Sequence, residues 1–316
     1  MLICMANSPL KILVLRGGPD REREVSLQSG GQVAQALRDA GHTVYERDIL
    51  PDDLSALEDG KQLGVQVVFP VLHGPWGEGG PLQAILEEHG LAYVGCEEQA
   101  ARLCMNKWAT KQALQDAGLP TAEAELIGKG DKRTLPAPCV VKALDEGSSY
   151  ALAICHSEEE ADAATAKLFE EHDQLMVEQF VSGMEMTVGV IEDVPVDGEP
   201  SEGPVTLPPI HIVPAVEFYD YEAKYTRDDT QYKFDIDLDP ACIQSVADAA
   251  KQAFETLGCR HLARIDFIVD DQFHAHILEA NTMPGFTSHS LVPKAAKQMG
   301  IAFPDLCDHL ARLALR

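Results

Sequence analysis

Positive charge is scarce in this chain: 25 lysines and arginines stand against 51 aspartates and glutamates, a formal charge of −26 over 316 residues. A surface so acidic repels polyanions, which argues against nucleic acid or an anionic membrane as a partner. A small anion is not excluded, but binding one requires the few cations to gather, so lysines beside Gly-rich loops become informative. Long apolar runs are lacking too: no segment reaches the roughly 18 consecutive apolar residues of a membrane span. The opening MLICMANSPLK has no basic n-region, no sustained apolar stretch and no small-residue cleavage site. A soluble, cytoplasmic protein is expected. Cys-x-x-Cys pairs are also missing. Cys4, Cys96, Cys104, Cys139, Cys155, Cys242, Cys259 and Cys307 are scattered, several within apolar runs, as expected of reduced core residues rather than a disulfide framework or zinc site.

Several chemistry-bearing motifs are absent. There is no G-x-x-x-x-G-K-[ST], and Gly17-Gly18 does not open a G-x-G-x-x-G pattern, so P-loop and dinucleotide-binding readings fall. Without a G-x-S-x-G elbow or an H-E-x-x-H helix, hydrolase readings lack a nucleophile or a metal. No internal repeat or low-complexity tract is present.

What is there has the length for two or three packed α/β lobes. KILVLR at 11–16 reads as a buried strand ending at Gly17 and Gly18, followed by helical spacing from Ser26 to Ala40. VQVVFPVL at 65–72, a helix near 81–89 and the strand LAYVG at 91–95 complete a parallel-sheet lobe, whose ligands are expected at strand carboxyl ends. Beyond Cys96, Asn106 caps a helix to about Gly118. Strands are expected near 122–128, 138–143, 151–155, 174–181 and 184–192, with a helix near 158–171. DVPVDGEPSEGPVTLPP at 193–209 is expected to form an exposed excursion. The last third reads as IHIVPAVEF, a polar stretch at 219–238, a helix at 240–257, strands at 262–270 and 275–281, and a terminal helix after Pro304.

The strongest local signal is LARIDFIVD followed by AHILEANT, a hairpin in which period-two alternation groups Arg264 with Asp266 and Glu279 with Asn281. Two carboxylates and an amide oxygen suit magnesium, which completes its octahedron with nucleotide phosphates; a solvated hairpin face is the plain alternative. TMPGFTSHSL leads into a helix, where backbone N–H groups and the hydroxyls of Ser288 and Ser290 suit a carboxylate or oxyanion. EGSSYA at 146–151 follows Lys142 and suits phosphate, or is simply a structural turn. Glu178 and Glu185, read from the residues alone, are surface charges on strands.

In order and spacing, GGPDREREVSLQSG at 17–30, HGPWGEGGPLQ at 73–83, FYDYEAKY at 218–225, ARIDF at 263–267 and LEANTMPGFTSHSLVP at 278–293 resemble the motifs of the D-alanine:D-alanine ligase family. The resemblance runs from about Lys11 to the C-terminal helix. It implies an α/β ATP-grasp fold with an N-terminal parallel-sheet domain: a substrate lobe over 1–103, a nucleotide lobe over 104–190, and a lobe over 191–316 carrying metal ligands and a closing loop. It also implies ATP and D-alanine as substrates, Mg2+ or Mn2+, two ions, as cofactor, and a homodimer.

Carried over residue by residue, the resemblance gives the metals to Asp266, Glu279 and Asn281 and phosphate neutralisation to Lys107, Lys142 and Lys224. Glu178, Gln179, Val181 and Glu185 fall to adenine and ribose. Glu22 anchors the ammonium of the first D-alanine with His73 near its carboxylate. Arg264 and the Gly285 N–H face the tetrahedral oxyanion, and Ser290 with the Leu291 N–H grips the second carboxylate. Tyr225, Ser148 and Glu22 tie down the closing loop at 219–238.

Four departures stand out. Asp20 replaces the family's usual Ser, Gly77-Glu78-Gly79-Gly80 replaces GEDG, Asn106 replaces Asp, and GSSYA replaces GSSVG. None touches ATP chemistry, but Asp20 and Tyr150 lie beside substrate positions and bear on amino-acid identity; nothing in the sequence accounts for Tyr150. Two alternatives remain: the same fold making D-alanyl-D-lactate or another dipeptide, and a nucleotide-responsive binder that has lost catalysis, against which Arg264, the metal carboxylates and the lysines argue.

Overall fold

The computed structural model describes residues 8–147, 150–195, 199, 201–213 and 230–316. Strand β1, Lys11–Gly17, lies between β2, Thr43–Ile49, and β3, Val67–Pro70, and both pairings are parallel. Its apolar run is buried on both faces, as a parallel strand covered by helices requires. Ile12 and Val14 share a core with Val33 and Leu37 of α1, Arg23–Asp39. Leu13 and Leu15 face the other way, toward Leu57 of α2, Ser55–Leu63. The short α3, Gly74–Gly77, leads into α4, Pro81–Glu88, whose Leu82 and Leu86 join that second side. The expected strand at 91–95 is reduced to one parallel bridge, Tyr93 to Val68. The Val68 N–H donates to the Ala92 carbonyl at 2.8 Å and the Val94 N–H to the Val68 carbonyl at 3.0 Å.

Helix α5, Glu98–Met105, and α6, Lys107–Asp116, carry the chain onward. As its sequence position predicts, Asn106 caps α6, accepting the Ala109 N–H at 2.9 Å. Strands β4, Ala124–Gly128, β5, Cys139–Ala143, β6, Leu152–Cys155, and β7, Gln174–Gln179, form an antiparallel sheet in the order β4-β7-β5-β6, with α7, Glu158–Leu168, within the chain between β6 and β7. Cys139, Val141, Leu175 and Val177 pack with Ala161 of α7. By alternation Val140, Lys142, Met176 and Glu178 face the opposite side.

The largest sheet contains β8, Gly183–Glu192, β9, Pro204–Thr206, β10, Ile210–Val213, β11, Gln231–Lys233, β12, Leu262–Asp270, and β13, Ala275–Asn281, in the order β11-β10-β8-β12-β13 with β9 also on β8. Strand β8 is therefore central to this sheet, although the nucleotide lobe expected over 104–190 takes in most of it. Val246, Ala250 and Phe254 of α8, Pro240–Thr256, share a core with Ile265, Phe267 and Ile277. The described parts of the 193–209 stretch are not a free excursion. Val194 and Leu207 are buried and β9 pairs with β8, because two apolar anchors in the polar segment find the core.

Helices α9, Leu291–Gln298, and α10, Phe303–Leu313, end the chain. The apolar stripe Leu306, Cys307, Leu310 and Ala311 carries α10 back to the first lobe, into the core that holds Ile12 and Val14. His42 Nε2 meets Asp308 Oδ1 there at 2.7 Å. No helix among the described residues is long and apolar enough to cross a membrane. The described cysteines are unpaired, and all but Cys242 are buried.

Candidate active site

The β12–β13 hairpin brings together four polar side chains that the sequence singles out. Arg264 pairs across the ladder with Asn281, and Asp266 with Glu279. The register then slips: Phe267 pairs with Ile277, leaving Leu278 as the extra residue of a bulge. Ile277 consequently enters the core while Glu279, two positions on, lines a cavity. Asp266 is held from several sides. Arg264 donates Nε to Oδ1 at 2.9 Å and Nη2 to Oδ2 at 2.8 Å, Thr187 Oγ1 donates at 2.6 Å and Asn281 Nδ2 at 3.0 Å. Lys107 Nζ lies 3.5 Å from Glu279 Oε2 and donates to the Glu146 carbonyl at 2.7 Å. Each carboxylate thus has a cation beside it.

The cavity, about 390 Å³, has Glu22, His73, Glu185, Arg264, Asp266, Glu279, Asn281, Gly285, Ser290 and Leu291 in its walls. Residues remote in sequence therefore converge at the meeting of the first and last lobes. Ser290 stands at the N-cap of α9 and accepts the Thr287 N–H at 3.0 Å. The Leu291 N–H belongs to the first helical turn, which lacks intrahelical acceptors. His73 is buried, and its Nδ1 faces the Met283 carbonyl at 3.1 Å. A carbonyl only accepts, so Nδ1 carries the proton. Nε2 is then the bare acceptor, with no hydrogen-bond partner among the described residues. Burial holds the His73 pKa below its ordinary value against the opposing pull of Glu22, so the ring is neutral at pH 7.

Of the nucleotide candidates, Glu185 lines this cavity and Lys107 lies beside Glu279, whereas the others described lie on β5, β7 and the connection after it. Lys142 and Glu178 are buried together on one face of β5 and β7, Gln179 is exposed at the end of β7, and Val181 is half-buried in the connection to β8. Glu178 is not a surface charge. Burial opposes its ionisation, but the ammonium groups of Lys142 and of Lys111, a residue of α6 that sequence reasoning passed over, prevail and hold its pKa down. Ser148, Lys224 and Tyr225 lie outside the described residues, as does the expected closing loop up to residue 229. Its continuation at 231–233 is β11, whose Tyr232 lines the cavity.

Tyr150 has a structural partner: the Arg21 guanidinium sits 3.7 Å from the centroid of its ring. Both line a smaller cavity of about 200 Å³ that shares Glu22 and Gly147 with the larger one. Asp20, also in its wall, accepts the Trp76 and Gly77 N–H groups, both at 3.1 Å; burial raises its pKa in spite of them.

A family model described as D-ala D-ala ligase C-terminus matches residues 109–312, and one described as D-ala D-ala ligase N-terminus matches residues 51–96. The chain belongs to the D-alanine–D-alanine ligase family. A relative from Chromobacterium violaceum named D-alanine–D-alanine ligase B is 42% identical, the match covering 94% of this chain and 95% of the relative. A D-alanine–D-alanine ligase from Syntrophotalea carbinolica is 41% identical, with 97% of each covered. The crystal structure of the Bacillus anthracis ligase is similar over 98% of both chains, at TM-score 0.81 and 28% identity. The same ligase complexed with ATP matches at TM-score 0.79 and 26% identity, over 97% of this chain and 98% of the other. Against this D-alanine–D-alanine ligase background, sequence reasoning missed Glu78, Thr187 and Lys111. Glu78 lies inside the quoted HGPWGEGGPLQ string and was the most findable; Lys111, one helical turn beyond Lys107, carried only its spacing as a signal.

Proposed function

We propose that the chain is an ATP-dependent D-alanine–D-alanine ligase that makes D-alanyl-D-alanine for peptidoglycan precursors. The observation that carries this reading is the cross-strand set Arg264, Asp266, Glu279 and Asn281 sharing one cavity with Glu22. A carboxylate oxygen of the first D-alanine attacks the γ-phosphorus of ATP. The bond to the β–γ bridging oxygen breaks, giving D-alanyl phosphate and ADP. The amine of a second D-alanine then attacks the acyl carbon, loses a proton and displaces phosphate. Activation is needed because a free carboxylate is a poor acyl donor.

Glu22 binds the first ammonium. The neutral His73 ring suits that ammonium better than the neighbouring carboxylate assigned to it from sequence, because a bare Nε2 accepts and a carboxylate offers it no proton. The Arg264 guanidinium and the Gly285 N–H meet the oxyanion of the tetrahedral intermediate, where preorganised donors act most strongly. Ser290 and the Leu291 N–H receive the second carboxylate. Lys107, Lys142 and Lys224 offset phosphate charge, and Glu178, Gln179, Val181 and Glu185 form the nucleoside side. Ser148 and Tyr225 join Glu22 in closing the site against water. Asp266, Glu279 and Asn281 offer hard oxygen donors on one face and fit Mg2+ or Mn2+ held jointly with ATP phosphates. A bound divalent ion supplies charge neutralisation of the phosphoryl oxygens. Family likeness supports a cytoplasmic homodimer.

The test is phosphate release from ATP with magnesium, with and without D-alanine, and the mass of the product. D-alanine-dependent release with D-alanyl-D-alanine as product is expected; no such release at millimolar D-alanine would overturn the reading.

A further inference from the structure

Three charged side chains meet out of water beneath the β4-β7-β5-β6 sheet. Lys142 and Glu178 are diagonal neighbours, since Val140 pairs with Glu178 and Lys142 with Met176. Lys111 reaches them from α6. One Glu178 oxygen pairs with Lys142 and the other with Lys111. Lys111, Glu178 and Lys142 are 2%, 2% and 6% exposed. Two ammonium ions on one carboxylate leave a surplus positive charge, and a buried charge is costly unless an opposite one completes the balance.

The two lysines are not equivalent. Lys111 is tied down further, donating to the Ala122 carbonyl at 3.0 Å and to Thr121 Oγ1; Thr121 in turn donates to Ile277 O of β13 at 3.0 Å. For Lys142 the hydrogen bond among the described residues is to Glu178 itself. One cation is anchored to the fold, and the other is held chiefly by the carboxylate.

We infer that Lys111 is a positioning residue for the nucleotide: by compensating Glu178 on its own, it lets Lys142 turn to an ATP phosphate without leaving a buried carboxylate unpaired. This deepens the ligase reading above and rests on it for the identity of the anion. The surplus charge is what makes the exchange feasible. Before ATP binds, Glu178 has two partners. When Lys142 leaves, a neutral Lys111–Glu178 pair stays behind. Without Lys111, Lys142 would be the only counterion of Glu178 among the described residues, and a phosphate would have to break a buried ion pair to recruit it. Burial lowers the Lys111 pKa while Glu178 opposes that shift, as expected for an ammonium kept charged by its carboxylate.

The experiment measures ATP–magnesium affinity by titration calorimetry for the full chain, Lys111→Met, Glu178→Gln and Lys111→Met/Glu178→Gln, with adenosine as a competitor lacking phosphate. Lys111→Met is expected to weaken ATP at least tenfold while adenosine competes with unchanged affinity, and KM for ATP should rise more than kcat falls. The double variant is expected to bind ATP within about threefold of Glu178→Gln alone, because without the carboxylate Lys142 needs no release. A parent-like affinity in Lys111→Met overturns the proposal, as does an equal loss for ATP and adenosine. Should Lys111→Met fail to fold, the two variants lacking Glu178 decide: a tenfold loss on removing Lys111 from that background overturns the idea, and equal affinities support it. A parent that binds no ATP removes the ligase reading and this proposal together, whereas a parent that binds ATP beside an unaffected Lys111→Met removes this proposal alone.

Discussion

Glu78 and Met283 join the first lobe to the last across the wall of the cavity: the Met283 N–H donates to Glu78 Oε2 at 3.3 Å. The other carboxylate oxygen accepts the Gly74 N–H at 3.0 Å, and the Met283 carbonyl faces His73. Burial first, and the charge of Glu22 next, push the Glu78 pKa to about 8. Between its ordinary value near 4.5 and 8, the native state holds a proton that the unfolded chain has released. Stability from this group therefore falls as pH rises through that window. The unfolding free energy of the parent, from urea titrations, should drop from pH 5 to pH 8.5 more steeply than that of Glu78→Gln, by up to about 1.4 kcal/mol per pH unit mid-window. Parallel profiles would show that Glu78 does not titrate in this way.

Glu279→Gln keeps the shape of the proposed metal face and removes a negative charge. Losing about 3 kcal/mol of transition-state stabilisation corresponds to roughly a hundredfold in rate. Turnover should fall by at least that factor at saturating magnesium while far-UV circular dichroism is unchanged. A variant within about threefold of the parent would mean that the β12–β13 hairpin is not the metal face.

Ser26 is fully buried beneath the end of β1, where it accepts the Gly17 N–H at 2.8 Å and donates to the Val71 carbonyl. Ser26→Ala strands both backbone groups, and a buried unsatisfied group costs about 1–3 kcal/mol. Denaturant unfolding should register a loss in that range, with KM for D-alanine altered if the Gly17-Gly18 turn shifts. A change below about 0.5 kcal/mol would show that the turn does not depend on this hydroxyl.

The acceptor is expected to be an amine. An ammonium must lose a proton before it attacks, so dipeptide synthesis should rise as pH approaches the amine's own titration range. D-Alanine and D-lactate mixed at equal concentration with ATP and magnesium at neutral pH should give D-alanyl-D-alanine, with at most a trace of depsipeptide by mass. A depsipeptide majority would overturn the specificity while leaving the ligase chemistry standing.

The sequence carried most of this site because its signals are local strings on strands and at helix starts, where period and capping rules act. Arg264, Asp266, Glu279 and Asn281 could be grouped from two adjacent segments, and Asn106 could be read as a cap. Where residues meet only through the tertiary fold, the sequence was silent. Glu178 read as surface charge because strand alternation gives no hint of Lys111 arriving from α6. Tyr150 was unexplained because its partner, Arg21, lies in another lobe. The return of α10 to the first lobe was likewise invisible, since an amphipathic stripe says that a face is covered but not by what.

The bulge at Leu278 also affects how this hairpin tolerates change in length. The pairs on either side of it, Asp266 with Glu279 and Phe267 with Ile277, are those an unbroken ladder would make if Leu278 were absent. Losing that one residue would leave core and cavity side chains on their present sides. Losing Ile277 instead would let Leu278 take its place in the core with Glu279 unmoved, whereas losing Ala280 would bring Glu279 opposite Ile265 and exchange acid for aliphatic between water and core. Gaps in this strand among distant relatives should therefore collect at Ile277 and Leu278, where a one-residue deletion lets the hairpin emerge with its chemistry facing the right way.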